Sequence, residues 1–224
     1  MPDNGPDATI DTVHVPNPAA RRLLLVAMLL AGLAGTAWPD AVTGQSPPLG
    51  SRSLAGRLLV ATPDMRDPRF AETVIYMVRH DGTGALGVVV NRPVQSMPLA
   101  VLLERLGMAN ANAPGGVLVR WGGPVEPGKA FALHTPDYQT EGTVMVKGRF
   151  GFTANRKILE TLAAGAGPRR LLLTVGYAGW GPGQLDAELE RGGWLTASPD
   201  EEVVFDEDDA SKWRRATARR LIDL

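Results

Sequence analysis

The sequence predicts a single α+β domain with a mixed β-sheet that spans residues 54–224. Three observations favour this class. Short apolar and β-branched segments, each bounded by Gly, Pro or Asn, recur along this region and are typical of strands. Segments with apolar residues at helical spacing lie between them. Strands outnumber helices and the two types are interspersed, which indicates an α+β arrangement.

Composition is that of an ordinary globular protein. Hydrophobic residues make up 44% of the chain and charged residues 21%, and the formal net charge is −1. The first fifty residues contain four Asp and two Arg, so the other 20 acidic and 21 basic residues give the remainder a charge of +1. Neither value predicts binding of a polyanion by bulk charge. The chain has no cysteine, which excludes disulfides, thiol nucleophiles and cysteine-based metal sites.

The N-terminal region divides into three segments. Residues 1–22 are polar and are predicted to be a disordered leader. Residues 23–38 are hydrophobic and follow Arg21 and Arg22, but as a helix they would reach only about 24 Å, short of the roughly 30 Å of a bilayer core. The basic flank and the small residues at their end favour a secretory signal. Residues 39–53 are predicted to be a linker.

Two alternatives to a signal remain open for residues 23–38, an uncleaved membrane anchor and a start codon assigned too far upstream. A signal or an anchor predicts an exported or membrane-anchored protein. A misassigned start predicts a cytoplasmic one. Any membrane contact would be made through residues 23–38.

Apolar runs predict eight strands, at residues 56–61, 73–78, 84–90, 117–121, 130–134, 144–146, 171–175 and 202–205. The second and third strands flank a turn at His80-Asp81-Gly82 and are expected to form a hairpin. Pro93 ends the third strand, because proline cannot donate to a ladder.

Helical spacing predicts four helices. They lie at residues 98–106, at 153–163 with Thr153 as N-cap, after Pro182 with Leu185 and Leu189 on one face, and at 208–220. Gly192 and Gly193 are expected to end the third of these helices.

Residues 170–195 are predicted to organise the domain. A buried strand leads into a glycine-aromatic elbow at residues 176–183, then a short acidic helix and a turn. Glycines at this density allow a sharp turn or a close approach of two backbones. We expect Trp180 to fill the space that the neighbouring glycines leave open.

This segment also resembles the signature of the YqgE/AlgH family of bacterial proteins. The matching blocks, which cover roughly residues 54–224, are Ala61-Thr62-Pro63, Phe70, Thr73-Val74-Ile75-Tyr76, Gly84-Ala85-Leu86-Gly87, Asn91-Arg92-Pro93, Gly122-Gly123-Pro124-Val125, Gly176-Tyr177-Ala178-Gly179-Trp180, Gly183-Gln184-Leu185, Glu188-Leu189 and Trp213. The resemblance implies a bifurcated or barrel-like sheet flanked by helices, in a cytoplasmic domain without a leader. The family has no established biochemical activity, and its name implies a transcriptional regulator.

Five residues are predicted to line a ligand pocket if one exists: Asn91, Arg92, Trp180, Gln184 and Glu188. Asn91 and Arg92 end a strand, where loops carry function, and a guanidinium can hold a carboxylate or phosphate with two hydrogen bonds. The alternative for Arg92 is an ion pair with Glu188 or Asp64. The alternative for Glu188 is pairing with a buried Arg or amide, which is the more frequent role for an acid that leans toward a core.

Catalytic and metal sites are not predicted. The elbow lacks the Lys and Ser/Thr of a P-loop and the spacing of a dinucleotide fingerprint, so it offers at most a helix amino end that holds an anion weakly. His80 and His134 are interpreted as turn or core residues. We predict no catalytic residue, no metal and no cofactor.

The closing helix begins with Asp206-Glu207-Asp208-Asp209 and ends with Arg214, Arg215, Arg219 and Arg220. This distribution complements the helix dipole and does not favour direct binding to nucleic acid. The favoured hypothesis is a non-enzymatic regulatory or interaction protein that acts through a protein partner or a small ligand. The alternative is a small-anion-binding module or an uncharacterised enzyme centred on residues 176–184.

Overall fold

The computed structural model describes residues 53–108 and 112–220. The leader predicted at residues 1–22, the hydrophobic segment at 23–38 and, apart from Ser53, the linker at 39–53 lie outside the described residues. In the part of the chain that is described, no helix is both long and apolar enough to cross a membrane.

Ten strands and five helices form the described part of the domain, which confirms the α+β class. The strands are β1 (Leu58–Ala61), β2 (Val74–Asp81), β3 (Gly84–Val89), β4 (Pro93–Pro98), β5 (Gly116–Trp121), β6 (Val125–His134), β7 (Val144–Val146), β8 (Phe150–Thr153), β9 (Leu171–Trp180) and β10 (Trp194–Ala197). The helices are α1 (Leu99–Arg105), α2 (Lys157–Ala163), α3 (Gln184–Glu190), α4 (Glu201–Phe205) and α5 (Asp209–Ala218).

Strand β9 is the branch point of the sheet. The main path runs β10-β1-β2-β3-β9-β6-β8-β7, and β4 and β5 form a branch that joins at β9. β5 is parallel to β9, whereas β3 and β6 are antiparallel to it. β5 and β6 both pair with Thr174, so they must lie on opposite sides of β9. The sheet is therefore mixed and branched, as the family resemblance implied.

Glycines allow the chain to cross β9 between β5 and β6. Because these strands lie on opposite sides of β9, the link at residues 122–124 has to pass over it. A Cβ atom on Gly123 would lie 2.1 Å from the Tyr177 carbonyl carbon, and one on Gly122 would lie 2.2 Å from the Gly176 oxygen. Gly176 has a φ of 70°, which glycine adopts without strain. Two glycine motifs that are distant in sequence thus meet at one crossing.

The prediction of a strand at residues 202–205 is wrong, because these residues belong to α4. The Asp200 carboxylate accepts hydrogen bonds from the backbone N–H groups of Glu202 (2.8 Å) and Val203 (3.3 Å), which is the geometry of a helix N-cap. Val203 and Val204 are both fully buried. Two adjacent buried valines are compatible with a strand or with a single helical turn, and here the Asp200 N-cap favours the helix.

The predicted elbow is too long, because β9 continues to Trp180 and the turn is confined to residues 181–183. Gly176 serves the strand crossing and not a turn. Strands β4, β8 and β10 were not predicted. β4 begins and ends with proline, which is tolerated because β4 pairs only with β5. Thr153 ends β8 instead of capping α2, and its hydroxyl accepts from the Asn155 N–H (3.0 Å).

Candidate functional site

An open groove of about 1070 Å³ lies between the loop after β1 and helix α3. Thr62 holds the two walls together, because its hydroxyl donates to the carbonyls of Gly192 (3.0 Å) and Gly193 (3.3 Å). The lining residues are Asp64, Met65, Arg66, Asp67, Arg69, Phe70, Pro124, Ala178, Gly179, Trp180, Gln184, Glu188, Arg191, Gly192, Gly193 and Trp194. The groove therefore brings together three of the five predicted pocket residues, Trp180, Gln184 and Glu188.

The Glu188 carboxylate is fixed by three side-chain donors. Its Oε2 accepts from the indole N–H groups of Trp180 and Trp194, both at 2.9 Å. Its Oε1 accepts from Nε2 of Gln184 at 3.0 Å. Glu188 was alternatively predicted to pair with a buried Arg or amide, and it does pair with donors near the core. The donors are two indoles and one amide. Both oxygens are engaged within the protein.

Aromatic rings form the base of the groove. Trp180 and Trp194 are only 8% and 5% exposed, and their ring centroids are 6.2 Å apart. Phe70 lies 5.8 Å from both Trp194 and Trp121. Leu185 of α3 is buried in the same cluster. The groove thus rests on a packed apolar layer, and the Glu188 carboxylate fixes the orientation of two of its rings.

The turn at residues 181–183 does not favour an anion cradle. The Gly181 N–H, which a phosphate would need, donates to Oε1 of Gln184 (3.1 Å). Asp186 lies in the first turn of α3, where its charge would oppose an anion. Gly183 has a φ of 69°, a conformation that glycine adopts without strain. The positive φ of Gly183 and the hydrogen bond from the Gly181 N–H to Gln184 therefore explain the shape of this turn without a bound anion.

Asn91 and Arg92 lie outside the groove and hold one of its walls. The Asn91 side chain accepts from the Val74 N–H and donates to the Glu72 carbonyl, both at 2.9 Å. The Arg92 guanidinium donates to the Ala71 carbonyl. Neither ion pair proposed for Arg92 is formed among the described residues. The two side chains position residues 71–74, where the loop that carries Phe70 enters β2.

Charged side chains line the rim of the groove. Arg69 and Asp67 form an ion pair at 2.6 Å, and the hydrogen bond from Arg69 holds the pKa of the Asp67 carboxyl below its usual value. Arg66, Arg191 and Asp64 are exposed, and their side chains have no charged or hydrogen-bonding partner within the described part of the chain. Sequence reasoning missed this rim, because the loop and α3 are more than a hundred residues apart and are joined only by folding.

The two histidines of the domain lie away from the groove. His80 is buried on β2; its Nδ1 accepts from the Leu54 N–H (3.2 Å), so its Nε2 carries the proton and faces the Asp186 carboxylate at 3.4 Å. His134 is fully buried at the end of β6, and burial lowers the pKa of its imidazole. Among residues 53–108 and 112–220, no His, Asp and Glu side chains group as a metal-ligand set.

A buried ionic cluster fixes α5 to the sheet and was not predicted. Asp209 accepts from Arg120 of β5 and contacts Nζ of Lys212, both at 2.9 Å. Nζ of Lys212 also donates to the carbonyls of Val90 (2.8 Å) and Val204 (2.9 Å). Burial, assisted by the charge of Arg120, lowers the pKa of Lys212 to about 8. The available sequence signal was an arginine inside the otherwise apolar run 117–121.

Comparison with known proteins agrees with this architecture. A family model described as AlgH-like matches residues 58–224. The chain belongs to the AlgH-like family. A UPF0301 protein from Cereibacter sphaeroides is 48% identical over 161 residues, which covers 71% of this chain and 88% of the relative. A UPF0301 protein from Paracoccus denitrificans is 45% identical over 177 residues, which covers 77% of this chain and 93% of the relative.

Solved structures show the same fold. The solution structure of the AlgH protein from Pseudomonas aeruginosa is similar with a TM-score of 0.64 and 37% identity, covering 79% of this chain and 92% of that protein. A crystal structure of a Corynebacterium diphtheriae protein, at 19% identity and a TM-score of 0.60, supports the fold alone. The AlgH-like assignment and the fold implied by the YqgE/AlgH resemblance are therefore confirmed.

Proposed function

We propose that this AlgH-like protein is a non-enzymatic interaction protein with a regulatory role, and that the groove between residues 64–70 and α3 is its binding surface. The observation that carries the proposal is the state of Glu188. A carboxylate that acts as a general base directs acceptor positions at its substrate, but three of the roughly four positions on Glu188 are already used within the protein. Here one oxygen accepts from two indoles and the other from Gln184. Glu188 therefore has a structural role: it orients the side chains that form the groove.

Other polar groups of the groove support recognition in preference to chemistry. Asp67 is paired with Arg69, and the Gln184 amide is shared between Gly181 and Glu188. The uncommitted groups are exposed and charged, which suits specificity and steering in an interface. The alternative, a small-anion-binding module or an enzyme centred on residues 176–184, has less support because the Gly181 N–H is already engaged.

A regulatory role would not require direct contact with DNA. The basic end of α5 is partly neutralised, because Arg215 pairs with Asp206 and Arg219 pairs with Asp200. Phosphate contacts need several free cations on one face. We therefore propose that regulation proceeds through a protein partner.

Site-specific photo-crosslinking in the bacterium that encodes the protein tests this function. A photoreactive amino acid replaces Asp64, an exposed residue of the groove, and, as the control, Arg105 at the exposed end of α1. We expect a discrete protein adduct from position 64 that is absent at position 105 and that re-forms when the identified partner is purified and mixed with the protein. Identical adduct patterns at the two positions, or no protein adduct at position 64, would contradict the proposal.

A further inference from the structure

We propose that the groove receives an extended, acidic segment of the partner protein, which pairs with the free edge of β9. This inference rests on the proposed interaction function and specifies the chemistry of the partner. Three features of the groove support it: an unpaired stretch of strand, a rim with uncommitted cations, and an apolar base.

The last three residues of β9, 178–180, have a strand neighbour on one side only. On that side they pair with residues 85–87 of β3. β6 lies on the opposite side of β9, and its pairing ends at Val125 opposite Tyr177. Among the described residues no strand continues the ladder beyond that pair, and residues 178–180 and Pro124 all line the groove. An open ladder of this kind is the template for addition of a peptide strand.

Gly179 makes this edge accessible to another backbone. It is exposed in the middle of the unpaired stretch, between the buried residues Ala178 and Trp180. Glycine within a strand often marks a place where another backbone approaches closely. On the face of Gly179 where a Cβ atom would point, the nearest atoms belong to Tyr177 (3.2 Å) and Val125 (3.5 Å).

Charge at the rim indicates an acidic segment. The charged groups at the groove are Asp64, Arg66, Asp67, Arg69, Glu188 and Arg191. Arg69 and Asp67 neutralise each other. Glu188 keeps its negative charge, so the six groups together have no net charge, but its oxygens are already bound by three neutral donors. The groups without a partner in the described chain are then two guanidiniums, Arg66 and Arg191, and one carboxylate, Asp64. Carboxylates on a bound segment would complement the two guanidiniums, since such pairs form bidentate hydrogen bonds.

The apolar base suits an extended chain with alternating side chains. Met65 and Phe70 are half-buried beside the groove, and the Met65 methyl group lies over the backbone at Gly193. In an extended segment, successive side chains point to opposite faces. One set would therefore face the groove, where its apolar members would contact Met65, Phe70 and the indoles and its acidic members would pair with the guanidiniums of the rim.

Selection from a random linear peptide library displayed on phage tests the proposal directly. The full-length protein is the target, and Arg66→Gln/Arg191→Gln is the matched variant, with Arg105→Gln as a control that removes an exposed guanidinium elsewhere. We expect enrichment of acidic peptides whose affinity falls at least about tenfold in the double variant but is unchanged in the control. Backbone N-methylation at alternate residues of a selected peptide should abolish binding, because it removes ladder donors.

Each other outcome overturns the proposal. Peptides that bind the double variant as well as the wild type, or that tolerate N-methylation at every position, would show that the edge and the guanidiniums are not the site. If no peptide is enriched while inorganic phosphate binds the wild type and not the double variant, the ligand is a small anion. If no peptide is enriched but position 64 still crosslinks to a protein, the partner presents a folded surface. In that case the proposed interaction function stands and this inference fails.

Discussion

At the scale of single residues, Glu188 has the largest effect on the groove because two buried indoles depend on it. Trp180 and Trp194 donate to the same carboxylate oxygen, and neither ring has another hydrogen-bond acceptor for its N–H within the described structure. An unsatisfied buried donor costs about 1–3 kcal/mol. The residue is thus a structural support for the surface that a partner would contact.

We predict that Glu188→Ala lowers the free energy of unfolding by about 2–4 kcal/mol, because it leaves two indole donors without a partner. Glu190→Ala, on an exposed position of the same helix, is the control and should change it by less than about 0.5 kcal/mol. Urea unfolding followed by tryptophan fluorescence measures both. Equal stability of the two variants would show that water replaces the carboxylate and that the indoles do not depend on it.

Residue type predicted which side chains lie at the groove better than it predicted the contacts that they make. Trp180, Gln184 and Glu188 were predicted together because they share one strand-turn-helix segment, and they do line one groove. Asn91 and Arg92 were predicted from residue type at a strand end, but their side chains bind the backbone at residues 71–74. Residue types indicate what a side chain can bind, and only the fold decides which donors and acceptors reach it first.

At the scale of secondary-structure elements, local signals located most strands and helices but not their ends. The runs at residues 73–78 and 84–90 predicted the β2–β3 hairpin because both strands are apolar and flank a turn. The prediction of a strand at residues 202–205 was wrong because the Asp200 N-cap stabilises a short helix that contains Val203 and Val204. β9 extends past Gly176 because cross-strand pairing with β3 and β6, which no local pattern reports, holds it extended.

Helix α5 is attached to the sheet through a titratable buried group, so its contribution depends on pH. Lys212 has a pKa of about 8 in the folded protein, against an ordinary value of 10.5. Between these values the unfolded chain binds more protons than the folded one, so the free energy of unfolding rises with pH. The contribution is present above pH 10.5 and is lost as the pH falls through about 8.

We predict that the stability of the wild type relative to Lys212→Met increases between about pH 8 and about pH 9.5, by up to about 1.4 kcal/mol per pH unit. Methionine keeps the length of the side chain and removes the titrating group, so subtraction cancels the other ionisable groups. Urea unfolding at a series of pH values measures the difference. A difference that stays constant or falls over this range would show that the ammonium retains its proton, held by Asp209 and the two carbonyls.

At the scale of the whole molecule, the fold depends on the crossing of β9 by residues 122–124. A Cβ atom on Gly123 would overlap the Tyr177 backbone, with 2.1 Å to its carbonyl carbon. Backbone atoms cannot move aside as the end of a flexible side chain can. The crossing links the β5 branch to β6, so its distortion would disturb pairing on both sides of the central strand.

We therefore predict that Gly123→Ala destabilises the protein by more than about 4 kcal/mol, in the range of severe backbone and packing defects. Gly142→Ala is the control: Gly142 also has a positive φ, of 74°, but no atom lies within 4 Å of the added methyl group. Its cost should be limited to about 1–2 kcal/mol of backbone strain. Comparing the melting temperatures of the two variants distinguishes the effect of atomic overlap at the crossing from the effect of backbone strain. Similar melting temperatures would mean that the crossing can open without loss of the fold.

Charge across the whole molecule also argues against direct recognition of DNA. Phosphate-based binding needs several free cations on one face and weakens steeply with salt. Two of the four arginines at the end of α5 are paired with acids, and the chain as a whole carries a net charge of −1. We predict no specific duplex binding with a Kd below about 1 µM at physiological salt, measured by fluorescence anisotropy of labelled DNA over a range of salt concentrations.

A salt-sensitive nanomolar complex that is lost when Arg214, Arg215, Arg219 and Arg220 are replaced by Ala would contradict this. Because Arg215 and Arg219 hold Asp206 and Asp200, the melting temperature of that variant must be measured alongside, so that loss of binding is not mistaken for loss of the α4–α5 region.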